Sequence, residues 1–106
     1  MTAPKLIPFE IEHIQLARFA GALSHPARIA IVTFLQGKDS VFYKEIVNEI
    51  PLAQATVSRH IKVLLDEGLL LQFPDGPKMS YALNCEKVKS FCHSFQCTLK
   101  NEPPEE

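Results

Sequence analysis

Apolar residues recur at helical spacing in the stretch "LAQATVSRHIKVLLDEGLL", residues 52–70. Val57, Ile61, Leu64 and Leu65 fall at i, i+4, i+7 and i+8, which is one face of a helix. The spacing predicts a helix from about Ala53 to Glu67, stopped by Gly68, which tolerates the left-handed backbone of a helix end. Just upstream, Tyr43 to Ile50 reads as a short helix with Ile46, Val47 and Ile50 apolar, and Pro51-Leu52 makes a tight break. From Phe9 to Leu23 the pattern is helical again. There Ile11, Ile14, Leu16, Ala17, Phe19, Ala20 and Leu23 cover more than half the circumference. A surface helix on a monomer shows a narrower stripe, so a partner subunit is expected to cover the excess. A further helix begins at Pro26, whose missing N–H costs nothing in a first turn. Ser24 or His25 caps it, and Ile29, Val32, Phe34 and Leu35 are its core positions.

Past Gly37-Lys38-Asp39-Ser40, a turn-rich break, Val41-Phe42 is a stub of strand. Leu69 to Phe73 is short and apolar, Pro74-Asp75-Gly76-Pro77 signals a turn, and Met79 to Leu83 alternates as a half-buried strand does. These form a β-hairpin with its tip at Asp75-Gly76. Asn84 caps a last helix reaching Cys97 or beyond, with Val88, Phe91, Phe95 and Leu99 as an apolar stripe. The order predicts a mainly α fold with a small β-hairpin: a winged helix-turn-helix of about five helices plus a two-stranded wing. Residues 9–100 are expected to form one domain whose first and last helices make a dimer interface, with residues 1–8 and 101–106 as flexible tails.

Composition changes this picture little until its distribution is considered. The net charge of the 106-residue chain is −1, which does not announce a nucleic-acid binder. Three of the 12 acids lie in residues 101–106, so residues 1–100 hold 11 basic and 9 acidic groups. A domain of this size is marginal alone, and pairing with a second copy helps it. No stretch is long and apolar enough for a membrane span or shaped like a secretory signal. Three cysteines without a C-x-x-C pair favour a reducing cytoplasm.

With Val57, Ile61 and Leu64 inward, Ala55, Ser58, Arg59 and Lys62 point outward. Thr56 then lies on the flank and Gln54 at the exposed helix start. Gln54 to Val63 contains no acid. An Arg fork can grip guanine and Gln can grip adenine, both bidentately, in a major groove wide enough for a helix. Ser, Thr and helix-start N–H groups suit phosphate oxygens. This polar face is therefore expected to meet double-stranded DNA, although any amphipathic helix also has a solvated face.

The same residues resemble the ArsR/SmtB family of winged-helix repressors. "LSHPARIAIVTFL" (23–35) is similar to the family's second helix, with Pro26, Arg28 and Ile31 in matching places. "KEIVNEIPLAQATVSRHIKVLLDEGLL" (44–70) resembles its helix-turn-helix, and "DGPKMSYALN" (75–84) its wing. The resemblance implies a homodimer, held by the first and last helices, that represses by occupying an operator and lets go when an inducer binds. Gln54, Thr56, Val57, Ser58, Arg59 and His60 sit on the family's most characteristic stretch, and Gln54, Thr56, Ser58, Arg59 and His60 with the outward Lys62 are expected at the DNA face. Lys44 and Lys78 serve as flanking phosphate contacts, and His60 either touches a phosphate or packs. Two departures stand out: Ala53 replaces the usual capping Ser, and Lys78 is the wing's only basic residue. Tyr81 reads equally as a phosphate contact and as a core-edge tyrosine.

Many family members carry a cysteine pair in the helix before the recognition helix. Here that helix is "YKEIVNEI", so the soft-metal site is absent. No cofactor is expected. The alternative is zinc or another soft metal on the last helix, using Cys92, His93 and Cys97, where His93 and Cys97 are four apart. Against it stands a reading of Cys92 and Cys85 as buried small hydrophobes. A thiol bridge across the dimer is a third reading. A protein-interaction module without DNA binding is the competing function. An enzyme is set aside, because no Gly-rich phosphate loop, carboxylate pair or nucleophile with a placed base is present.

Overall fold

The computed structural model describes residues 9–100. Five helices and three strands follow in the order α1 (Ile11–Ala22), α2 (Pro26–Leu35), β1 (Val41–Phe42), α3 (Tyr43–Glu49), α4 (Gln54–Asp66), β2 (Leu70–Asp75), β3 (Lys78–Leu83) and α5 (Cys85–Lys100). This is the winged helix-turn-helix the sequence predicts. The expected tails, 1–8 and 101–106, lie outside the described residues. No helix among the described residues is long and apolar enough to cross a membrane.

The sheet has one strand more than the expected wing. Its order is β1-β3-β2, all antiparallel, with Val41 opposite Tyr81 and Leu70 opposite Leu83. The two-residue stub β1 thus ties the start of α3 to the wing. Pro74 is tolerated because β2 is an edge strand, where a missing N–H breaks no ladder. The hairpin tip is shifted by one residue: Asp75 pairs with Lys78, leaving Gly76-Pro77 as the turn. Gly76 has φ +61. A positive first and a proline second central residue suit a type II′ turn, which matches strand twist.

The core gathers Phe19, Ile31, Leu35, Ile46, Val57, Ile61, Leu64, Leu69 and Leu83 from all the helices but α5, and from the sheet. In α2 the inward register differs from the expectation. Ile31 is fully buried, whereas Ile29 is 46% exposed. Ile29, Ile31 and Val32 are all apolar, so periodicity alone did not single out the buried member. The α1–α5 contact is aromatic: Phe19 stacks on Phe91 with ring centroids 4.6 Å apart and tilts against Phe95 at 5.6 Å.

α4 ends as Gly68 predicts, at φ +76. The Gly68 N–H donates to the Leu65 carbonyl and the Leu69 N–H to the Leu64 carbonyl, each at 2.9 Å. This pair of bonds is a Schellman stop. Asn84 caps α5 by accepting from the Lys87 N–H at 3.3 Å, and its amide donates back to the Gly68 carbonyl at 3.0 Å. One asparagine thereby joins the end of α4 to the start of α5. The other end of α4 lacks such help. Ala53 has the extended backbone of a cap (φ −60, ψ 146) and no side-chain bond. Ala53→Ser is expected to raise stability by about 1 kcal/mol, read as a higher urea midpoint at unchanged slope.

Candidate nucleic-acid interface

α4 presents two contrasting faces. Val57, Ile61 and Leu64 are within 2% of full burial, which anchors the helix by its inner side. Gln54, Ala55, Arg59 and Lys62 are exposed on the other side, and Thr56 is half-buried on the flank. Lys44, at the start of α3, and Lys78, at the start of β3, are also exposed. The Lys78 ammonium lies 5.1 Å from the centre of the Phe42 ring.

The outward residues are loosely held. The Arg59 guanidinium is 3.5 Å from the Thr56 hydroxyl. Lys62 pairs with Asp66 one turn later at 3.3 Å, both side chains mostly in solvent. Exposed pairs of this kind contribute about 0–1 kcal/mol, so either cation can be drawn to a stronger anion.

Two expected members of the face are turned inward. Ser58 is half-buried, and its hydroxyl hydrogen-bonds the Tyr43 hydroxyl of α3. His60 is buried rather than set beside phosphates. Its ring packs on His25 with centroids 4.3 Å apart. Its Nδ1 accepts from the Arg28 guanidinium at 3.1 Å, since an arginine can only donate. His60 is therefore part of the joint between α2 and α4. His25 itself caps α2, its Nδ1 accepting from the Ala27 N–H at 3.0 Å. Ser24 instead donates to the Gly21 carbonyl at 2.7 Å.

Sequence reasoning gave Arg28 and Tyr43 no structural role. Arg28 reaches the His60 ring, the Gly21 carbonyl at 3.4 Å and the Ser24 hydroxyl at 3.5 Å. It thus ties α2 to α4 and to the end of α1. The available signal was that Arg28 is the only charge in the apolar helix "PARIAIVTFL". Tyr43 connects α3 to α4, fixing the angle of the turn between them.

Burial holds the His60 pKa below its ordinary value of 6.5, and the nearby His25, Arg28 and Arg59 lower it further. A group that resists protonation in the fold binds protons more readily when unfolded, so stability rises with pH through that window. His60's contribution is complete above 6.5 and is lost as pH falls below it toward the depressed value. Thermal midpoints should hold from about pH 8 to about pH 6.5 and then decline, and His60→Gln should reduce that decline.

The three cysteines of α5 are free. Cys85 and Cys92 are exposed in the chain, not buried small hydrophobes. The apolar stripe Val88, Phe91 and Phe95 turns toward the core and leaves both thiols off that side. The Cys97 sulfur lies 3.6 Å from the His93 Nε2, so these two share a face. Among the described residues, no group of three or more His, Cys, Asp or Glu gathers around one point.

A family model described as a helix-turn-helix domain matches residues 23–72, which hold α2, α3 and α4. The HTH-type transcriptional regulator YgaV of Escherichia coli (strain K12) is 30% identical over 87 residues, or 82% of this chain and 84% of that one. The fold is shared with solved structures. The ArsR-like transcriptional regulator from Rhodococcus sp. RHA1 has a TM-score of 0.72 at 19% identity, over 84% of this chain and 83% of that chain. The transcriptional repressor BigR from Xylella fastidiosa has a TM-score of 0.66 at 22% identity, over 82% and 88%. These proteins are regulators of transcription, not enzymes. Agreement in sequence over most of both chains, on a fold that ArsR-type regulators share, means that the chain belongs to the ArsR/SmtB family of DNA-binding winged helix-turn-helix transcriptional regulators.

Proposed function

We propose that the chain is a homodimeric repressor that occupies an operator and is released by an inducer. The observation that carries this reading is the exposed, acid-free outer face of α4, from Gln54 to Lys62, on a helix anchored by fully buried residues. In this reading Gln54 and Arg59 meet base edges, Thr56 and Lys62 meet phosphates nearby, and Lys44 and Lys78 grip the flanking backbone. Ser58 acts through Tyr43, holding the helix at its angle. The dimer is supported by apolar surface at the ends of α1 and α5. Ile11 is 62% and Leu99 76% exposed, and no residue of α5 is buried by its own chain.

A two-fold dimer places two recognition helices about 34 Å apart, one turn of DNA. The test is a titration of the full chain with duplexes from its own promoter and with scrambled controls, at several salt concentrations, beside sedimentation equilibrium. The expected result is a dimer that prefers a roughly palindromic duplex and loses affinity as salt rises. A monomer, or the absence of duplex binding below about 10 μM at low salt, overturns the reading in favour of an interaction module.

A further inference from the structure

The wing and α3 flank an open cleft of about 630 Å³ whose aromatic walls the DNA reading leaves unused. Its size lies within the range of small-molecule sites, about 300–1,000 Å³. The walls are Phe42, Tyr43, Met79 and Tyr81, and Lys44 and Lys78 stand with Glu45 on its lining. Pairing of β1 with β3 holds Phe42 opposite Ser80, so the Phe42 and Met79–Tyr81 parts of the lining belong to one sheet, and Tyr43 adds the α3 side. Tyr81 is 8% exposed, a rigid side of the cleft. Burial, then the neighbouring Tyr43, pushes the Tyr81 phenol above its ordinary value, so it stays a neutral hydrogen-bond donor.

Aromatic walls favour a flat aromatic body, by stacking or edge-to-face contact. Two ammonium groups against one carboxylate favour a single negative charge, and a charged acceptor makes the stronger hydrogen bond. The Lys78 ammonium lies over the Phe42 ring, 5.1 Å from its centre, which sets a positive charge beside the aromatic wall. From this lining we infer that the cleft between α3 and the wing binds a small planar aromatic anion, and that its occupation weakens DNA binding.

The second half rests on the repressor reading. Lys44 and Lys78 are the cations given there to the DNA backbone, and a carboxylate between them takes both away from phosphates. The cleft is connected to the recognition helix through Tyr43, which forms one wall and is hydrogen-bonded to Ser58 of α4. A ring pressed against Tyr43 therefore acts on the angle of α4. Coupling between two sites is reciprocal, so duplex must weaken ligand binding by the same factor.

The chain has two methionines, Met1 and Met79, so the Met79 methyl group is a clean reporter. The full chain is titrated with 2-naphthoate, and separately with 2-naphthamide, while methionine methyl resonances are followed by NMR. The expected result is a saturable shift of the Met79 methyl with the acid and roughly tenfold weaker binding of the amide. The double variant Lys44→Gln, Lys78→Gln should weaken the acid and leave the amide unmoved. No shift at millimolar acid, equal binding of acid and amide, or an unaffected double variant overturns the site. In the second arm, saturating 2-naphthoate is added to a duplex titration. A duplex affinity at least about fivefold weaker supports the coupling, and an unchanged affinity overturns it. A chain that binds no duplex even without ligand overturns the repressor reading and the coupling, while the Met79 titration still decides the site.

Discussion

Leu64→Ala is expected to remove about 2–5 kcal/mol of stability, a large share of the roughly 5–15 kcal/mol typical of a domain. Leu64 is fully buried and belongs to the central cluster. It is also the residue whose carbonyl receives the Leu69 N–H in the Schellman stop. The Leu64 and Leu69 side chains, both at 0% exposure, are the apolar pair that accompanies such a stop. Truncation therefore opens a cavity at the junction of α4 with the wing, where neighbours on two elements would have to move together to refill it. Urea unfolding at one fixed protein concentration reads the loss, since dimerisation would make the midpoint concentration-dependent. Val63→Ala, one residue away and 37% exposed, is the control and should cost less than about 1 kcal/mol. Equal losses at the two positions would mean that α4 is not seated on its Val57–Ile61–Leu64 side.

That side was legible because its spacing and its chemistry agree. Val57, Ile61 and Leu64 are apolar and sit on one face, and the stop at Gly68 follows from the left-handed backbone glycine allows. His60 occupies the same face by spacing, three residues after Val57 and four before Leu64. Its polar ring drew it, on sequence, toward phosphates. Periodicity was the better guide, because Arg28 and His25 supply what a buried imidazole needs, and they come from α2 and its cap, 32 or more residues away. The same limit explains α2. Where nearly every position is apolar, the pattern shows that the helix is buried but not which way it is turned. The β1–β3 pairing joins Val41 to Tyr81, a contact between distant segments that no local signal encodes. The exposure of Cys85 and Cys92, for which burial is one of the readings the sequence leaves open, has a related reason. A small apolar-like residue beside a strong stripe reads as part of it, and only the α1 contact at Phe19 shows where the stripe points.

Arg59→Ala is expected to weaken operator binding by about 1–3 kcal/mol, or roughly 5- to 150-fold, while leaving the unfolding midpoint nearly unchanged. The two halves of that expectation follow from one geometry. Arg59 is exposed, touches only the Thr56 hydroxyl at 3.5 Å, and has no carboxylate partner among the described residues. No buried contact depends on it, its charge being only the last of the influences that lower the His60 pKa, and its fork of donors is free to meet a base edge. Arg59→Lys separates two ways in which the residue can act. Lysine keeps the charge but not the planar fork, so it substitutes well at a phosphate and poorly at a guanine. If Arg59 reads a base, the Lys variant should lose most of its preference for operator over scrambled duplex. If it grips only a phosphate, Ala should weaken both duplexes alike and reduce the salt slope by about 1. An Arg59→Ala protein that binds its operator as tightly as the parent chain would show that the face of α4 turned to DNA is not this one.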